Sequence, residues 1–281
     1  MHETNGELME RNDKYKLSDN MFNDALVVIS NLIARATTKW TLEETKLFLC
    51  SVSRIKTRNK ECWVTMSKRD IAEKLEIDPT NRSKMRDMFK RVMMKSYIQI
   101  DGDTEDEWDD GFLITQIKST KKDISVRFND MYIPLLDQLS SHFTEFYIDY
   151  VKDFTRLSSY NLYVYLCSWQ DSNYQVQNKK IAKRDLQKIF KLKDGEYWRN
   201  YGKENAKFHF ADFEKYCLNP AIEEINKLKS CDMHILSCDK IKNGKFVLGY
   251  DIHYAFVDED GFYKWFKKER KHEKKTKKKR I

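Results

Sequence analysis

The sequence predicts an α+β fold, mainly helical, in which one domain occurs twice and a basic tail follows. Two internal repeats, the order of elements around each, and the location of the charge predict it. Leu47-Phe48-Leu49-Cys50-Ser51 returns as Val164-Tyr165-Leu166-Cys167-Ser168, 117 residues later. Ser67-Lys68-Arg69-Asp70-Ile71 through Ile77 returns as Ala182-Lys183-Arg184-Asp185-Leu186 through Leu192, 115 residues later. Two matches in one order at nearly one offset mark a duplicated domain, because solenoid repeats have much shorter periods. With 281 residues, each copy has the length for its own core.

The elements follow in order. Residues 1–20 read as a loose arm. Ala25 to Ala36 is apolar-rich and predicts a helix. Thr41-Leu42-Glu43-Glu44 is a capping box that starts the next helix, and Leu42, Leu47, Cys50 and Ile55 give that helix an apolar side. Trp63-Val64-Thr65 predicts a short strand. Ser67 caps a short helix that ends near Leu75, Asp78-Pro79 makes a turn, and Asn81 to Met94 predicts a longer helix. Strands are expected at Tyr97–Ile100, Phe112–Lys118 and Ile124–Phe128. The second copy repeats the plan: a lead-in from Phe143 to Asp153, a helix from Ser158 to Trp169, a strand at Val176-Gln177, a short helix from Lys183 to Phe190, a long loop, and a helix from Phe210 to Lys229. Its final hairpin joins His234–Cys238 to Phe246–Phe256 through Lys242-Asn243-Gly244-Lys245, where Asn-Gly is a strong turn signal. Helix, helix, strand, helix, turn, helix, hairpin is the order of a winged helix, a helix-turn-helix with a β-hairpin wing. The expected domains are 21–138 and 139–258, with the boundary near Asp137–Ser141 and a polybasic, disordered tail at 259–281.

The net charge of +8 is local. Lys264 to Arg280 holds 11 Lys/Arg against 2 Glu, which leaves the rest of the chain at −1. Such a tail attracts phosphates without regard to sequence, so sequence reading has to come from faces on the body. No stretch approaches the roughly 20 apolar residues of a membrane span, and Met1 to Asn20 has no apolar signal core. The six cysteines form no C-x-x-C pair. Cys50, Cys167 and Cys217 lie among apolar neighbours and read as reduced core thiols of a cytoplasmic protein. No phosphate-binding glycine loop, paired metal-binding histidines or activated nucleophile is present. No enzyme activity, metal or cofactor is expected.

The last long helix of the second copy, on a wheel of 100° per residue, places Phe213, Cys217, Leu218, Ala221, Ile225 and Leu228 on one side. Asp212, Lys215, Asn219, Glu223 and Asn226 fall on the other. Lys suits guanine, Asn suits adenine and a carboxylate suits cytosine in the major groove, while Lys207 and His209 stand where phosphates would sit. Pro220 should kink this helix or shift its register. Lys240, Lys242 and Lys245 give the following hairpin a basic tip. The matching loop in the first copy reads as Asp101–Asp110, with seven carboxylates in ten residues, which phosphate would repel. The first copy's helix is itself basic, with Arg82, Lys84, Arg86, Lys90 and Arg91 opposite Met85, Phe89 and Val92, and Lys118, Lys121 and Lys122 form a second basic turn. The second copy is therefore expected to be the main sequence reader, with the first contacting phosphates or holding a protein partner. Exposed helix faces are always polar, so a solvated face is the alternative reading of each row.

Three segments resemble the iteron-binding initiator proteins of theta-replicating plasmids. They are Asn31-Leu32-Ile33-Ala34-Arg35-Ala36 with Leu42-Glu43-Glu44, Leu157 through Leu166 with its Ser-x-Tyr-x-x-x-x-Tyr-like run, and Phe213 through Asn226, which carries Pro220-Ala221-Ile222-Glu223-Glu224-Ile225-Asn226. The last is the most specific. The acidic loop and the basic tail are departures that the resemblance does not call for. The resemblance implies tandem winged helices and a non-catalytic mechanism. Monomers would bind directly repeated sites in double-stranded origin DNA, help to melt an AT-rich segment, and recruit the host replication initiator and helicase. Homodimers would repress the protein's own gene. A tandem winged-helix transcriptional repressor and a nicking-type initiator enzyme are the alternatives.

Overall fold

The computed structural model describes residues 26–35, 39–55, 62–74, 81–101, 108–136, 143–171 and 174–257. The arm, the tail, the centre of the acidic loop and the expected domain boundary lie outside the described residues.

The first element corrects the sequence reading. Leu26–Ser30 is a strand, β1, and among the described residues of this segment only Asn31–Arg35 is helical (α1). Val27, Val28 and Ile29 are β-branched, stiff at χ1 and well suited to a pleated sheet. Strand β1 pairs antiparallel with β7, Phe143–Tyr147, burying Val27 and Ile29. Val28 faces Glu145, and these two positions are themselves 117 residues apart. The strand therefore pairs with its own copy about a local twofold, as in an isologous dimer contact, here within one chain. Across the same junction, Lys46 Nζ donates to the carbonyls of Lys152 (2.5 Å) and Phe154 (2.9 Å).

Helix α2, Leu42–Val52, has the expected capping box. Glu44 N–H donates to Thr41 Oγ1 (3.2 Å), and Thr41 N–H donates to Glu44 Oε2 (2.9 Å). Glu44 is only 1% exposed and also accepts from Arg91 Nε (2.8 Å) and Lys95 Nζ (2.7 Å). Burial pushes its carboxyl up, but the bonds from Lys95, Thr41 N–H and Arg91 outweigh this and hold it below the ordinary glutamate value. A lowered carboxylate contributes stability that is complete above the ordinary glutamate range and is lost as pH falls through the folded-state value. Glu44→Ala is expected to cost about 2–3 kcal/mol through the lost cap and two charge-assisted bonds. Denaturant unfolding at pH 7 checks this, and the difference from wild type should shrink in acid.

The two copies share one frame. In the first, β2 (Trp63–Ser67), α3 (Lys68–Lys74) and α4 (Arg82–Met94) precede β5 (Ile114–Ser119) and β6 (Asp123–Phe128), with sheet order β2-β6-β5. In the second, α5 (Ile148–Val151) and α6 (Leu157–Cys167) lead to β8 (Val176–Ala182) and α7 (Lys183–Phe190). A composite helix over 210–227 and the hairpin of β11 (Met233–Asn243) and β12 (Phe246–Phe256) follow, with order β8-β12-β11. The repeated segments are core. Leu47, Phe48, Leu49, Cys50 and Ser51 are at most 3% exposed, and Val164, Leu166, Cys167 and Ser168 are also buried. Ile71 and Leu186 occupy equivalent buried places in the short helices.

Each copy adds one hairpin of its own. The first inserts β3 (Tyr97–Asp101) and β4 (Trp108–Phe112) after its long helix. The second inserts β9 (Trp198–Arg199) and β10 (Lys207–Phe208) before its long helix. This corrects the assignment of Asp101–Asp110 as the first copy's wing. That loop tips the inserted hairpin, and the strand pair equivalent to β11–β12 is β5–β6, whose turn carries Lys121 and Lys122. The run Phe112–Lys118 is not one strand. Leu113 is fully buried and breaks the pleat, and its N–H donates to Ser96 O (2.9 Å). Among the described residues, no helix is long and apolar enough to cross a membrane.

Candidate nucleic-acid interface

The composite helix consists of α8 (Phe210–Phe213), a π segment (Glu214–Leu218) and α9 (Asn219–Lys227). Pro220 has no N–H to continue the α ladder, and the wider turn immediately before it absorbs that loss. Phe213, Cys217, Leu218, Ala221 and Ile225 stay buried, so the core stripe is the one the wheel predicts. Lys215, Asn219 and Glu223 are exposed. Tyr216, which the wheel did not single out, joins them at 58% exposure, with Lys215 Nζ 5.0 Å from its ring centre.

The other members of the outward row are engaged within the fold. Asn226 donates Nδ2–H to Ile235 O (2.9 Å) and accepts from Ile235 N–H (2.7 Å), which ties the helix to β11. Asp212 Oδ2 lies 2.6 Å from His209 Nδ1. Glu224, which lies outside that row, accepts from Thr155 N–H (2.9 Å) and Arg156 N–H (3.3 Å), just before α6. The five fixed positions of the Pro-Ala-x-x-Glu-Ile-Asn signature are thus structural: a register change, a buried small residue, a bridge to α6, a core residue and a strand clasp.

The wing lysines differ in the same way. Lys240 Nζ pairs with Glu214 (2.8 Å), which also accepts from Tyr250 Oη (2.9 Å). Lys242 and Lys245 are exposed at the tip. The turn residues are Gly244 and Lys245, not the expected Asn243-Gly244. Asn243 pairs with Phe246, and Gly244 alone has a positive φ, of 57°. Glycine at the first of two turn positions fits a type II′ hairpin. Lys207 is exposed on β10.

In the first copy, α4 buries Met85, Met88, Phe89 and Val92 and exposes Lys84, Arg86 and Lys90. Arg91 is half exposed, with its Nε on Glu44, and the side chain of Arg82 lies outside the described residues. The true wing is basic. Lys118 Nζ lies 4.4 Å from the Trp63 ring centre, Lys121 and Lys122 are exposed, and Lys68 Nζ donates to Thr120 O in the turn (2.5 Å). The acidic hairpin is braced separately by Tyr97 Oη to Asp110 (2.6 Å) and Tyr132 Oη to Asp109 (2.9 Å). Burial and the Asp109 bond push the Tyr132 hydroxyl up to about 12, so it remains a donor. Both copies therefore offer an exposed polar helix face beside a lysine-tipped hairpin. Among the described residues, no group of three or more His, Cys, Asp or Glu is placed to hold a metal ion.

Comparison with known proteins agrees with this architecture. Residues 26–167 match the family model described as initiator replication protein, WH1, and residues 183–254 match that of initiator Rep protein, WH2. The solved structure of the Pi initiator protein in complex with iteron DNA is 15% identical, with a TM-score of 0.62. That match covers 84% of this chain and 98% of the other. Domains 2 and 3 of RctB are 12% identical, with a TM-score of 0.44 over 77% of this chain and 82% of theirs. No curated protein sequence matches significantly.

Proposed function

We propose, because the chain belongs to the initiator replication protein family, that it is a plasmid replication initiator acting in the cytoplasm on double-stranded origin DNA. The observation that carries this reading is the paired interface: in each copy an exposed helix face stands beside a basic wing on the same frame. The shared fold of the Pi initiator, solved on iteron DNA, supports it. In this reading the second copy is the main reader. Lys215, Asn219 and Glu223 face base edges, and Lys207, Lys242 and Lys245 contact phosphate. Lys84, Arg86, Lys90, Lys121 and Lys122 of the first copy add backbone contacts. Asp212, His209, Lys240 and Arg91 act indirectly, by holding neighbouring groups. Two modest readers on one chain gain from effective concentration without a larger interface.

Binding at repeated sites (iterons) then opens the origin and recruits the host replication initiator and helicase, with no covalent step on DNA. Monomers serve initiation, and homodimers repress the protein's own gene. Footprinting on the DNA flanking the gene tests the reading. The expected result is protection of several direct repeats of equal length. Protection of a single palindrome would instead identify a repressor, and a 5′-phosphotyrosyl adduct on origin DNA would identify a nicking enzyme.

A further inference from the structure

The inserted hairpin of the second copy is built at a conformational cost. Between α7 and the composite helix the chain has 19 residues, 191–209. Within this insertion Lys191, Tyr197 and Asn200 adopt positive φ (52°, 59° and 53°), beside Gly195 and Gly202. Left-handed backbone at non-glycine residues persists only where the surroundings over-determine it. Lys191 is the left-handed C-cap of α7, its N–H on Gln187 O and Lys188 O, and around Tyr197 aromatic packing supplies the constraint. The Trp198 and Phe208 rings meet at 5.6 Å, Phe208 and Phe213 at 5.5 Å, and Tyr197 and Phe213 at 5.7 Å, while His209 N–H donates to Tyr197 O (2.7 Å).

This scaffold presents a like-charge pair. In the two-residue ladder Trp198 faces Phe208 on the inner side, and Arg199 faces Lys207 on the outer side. Both cations are exposed, and neither has an ion-pair partner among the described residues. Like charges directly opposite each other on a sheet repel. A third cation, Lys183, borders the hairpin with Nζ 5.2 Å from the Trp198 ring centre. Among the described residues, the hairpin therefore holds two cations without an ion-pair partner on one face immediately before the helix Phe210–Lys227.

We propose that Arg199 and Lys207 form a clamp for one phosphodiester group of the DNA backbone, which fixes the register of the composite helix. This rests on the DNA-binding reading above and extends it to Arg199 and to the purpose of the insertion. A bound phosphate removes the cross-strand repulsion, and the guanidinium fork suits its oxygens. The clamp positions the helix and carries no sequence information.

The test compares wild type, Arg199→Gln and Arg199→Lys in the full chain. Binding is measured by fluorescence anisotropy across a salt series, on a duplex from the flanking repeats and on a scrambled duplex. Arg199→Gln should bind both duplexes about tenfold more weakly, with the log–log salt slope flatter by about 0.9. The thermal midpoint of the free protein should rise by roughly 1 °C as the repulsion is removed, and Arg199→Lys should restore most of the affinity and slope. Unchanged binding by Arg199→Gln, a loss confined to the repeat duplex, or a fall in affinity together with a lower midpoint would each overturn the clamp. Wild-type protein that binds neither duplex would overturn the DNA-binding reading and the clamp with it.

Discussion

Gly249→Ala is expected to destabilise the second winged helix by about 3 kcal/mol or more. Gly249 lies in the middle strand of the sheet, paired with Ala182 of β8 on one side and Ile241 of β11 on the other. A Cβ at this position would overlap the backbone carbonyl oxygen of Ile181, with the Ile181 carbonyl carbon 3.0 Å and Ala182 Cα 3.1 Å away. Backbone cannot yield as a flexible side chain would, so β8 must separate from β12 where the wing leaves the core. Thermal unfolding should show a midpoint lower by roughly 6–12 °C. Gly244→Ala provides the contrast. It has no atom within 4 Å of a new Cβ and only its φ of +57° to strain against, so it should cost about 1–2 kcal/mol. Equal effects at the two glycines would mean that the close approach of β8 to β12 is wrong.

Lys215→Ala and Asn219→Ala are each expected to remove about 1–3 kcal/mol of discrimination between the repeat sequence and single-base variants. The π segment places both on the exposed face with Tyr216, while Phe213, Cys217 and Leu218 anchor the other side. Competition binding against a panel of base-substituted duplexes reads the effect directly. A uniform loss across the panel would assign the two residues to phosphate contacts, and full retention of specificity would place the reading surface elsewhere. Glu223→Ala, one turn further along the exposed row, should act in the same direction.

The duplicated core was legible because repeated apolar spacing has few structural solutions. The Leu47–Ser51 and Val164–Ser168 segments became equivalent buried helices, and the apolar wheel of the composite helix survived its π turn. Strand β1 was not legible. A run of four apolar residues is too short for its periodicity to separate a strand from a buried helix, and the partner that decides lies more than a hundred residues away. The inserted hairpin at 198–208 is not legible in the sequence, because strands of two residues leave no periodicity, and nothing in the pattern marks Arg199. The wing of the first copy was misassigned because its acidic hairpin comes first after the helix, and adjacency in sequence stood in for strand pairing. Lys68 ties the first copy's wing turn to α3, whereas Lys183 lies against the Trp198 and Phe210 rings. One repeated residue thus has different partners in the two copies. The signature 220–226 was readable as a resemblance but not as chemistry, since its Asn226 looked like a base reader and is a strand clasp.

The pairing of β1 with β7 has a consequence for the birth of the chain. Leu26 leaves the ribosome well before Tyr147, its partner in the ladder. At about 5–20 residues per second, β1 waits on the order of ten seconds for its complement. Throughout that interval Val27 and Ile29 sit on an open edge, the kind of surface that recruits a strand from another chain. Slow or crowded synthesis would therefore favour exchange of this strand between neighbouring nascent chains, and β1 is secured only once the second copy has begun to emerge.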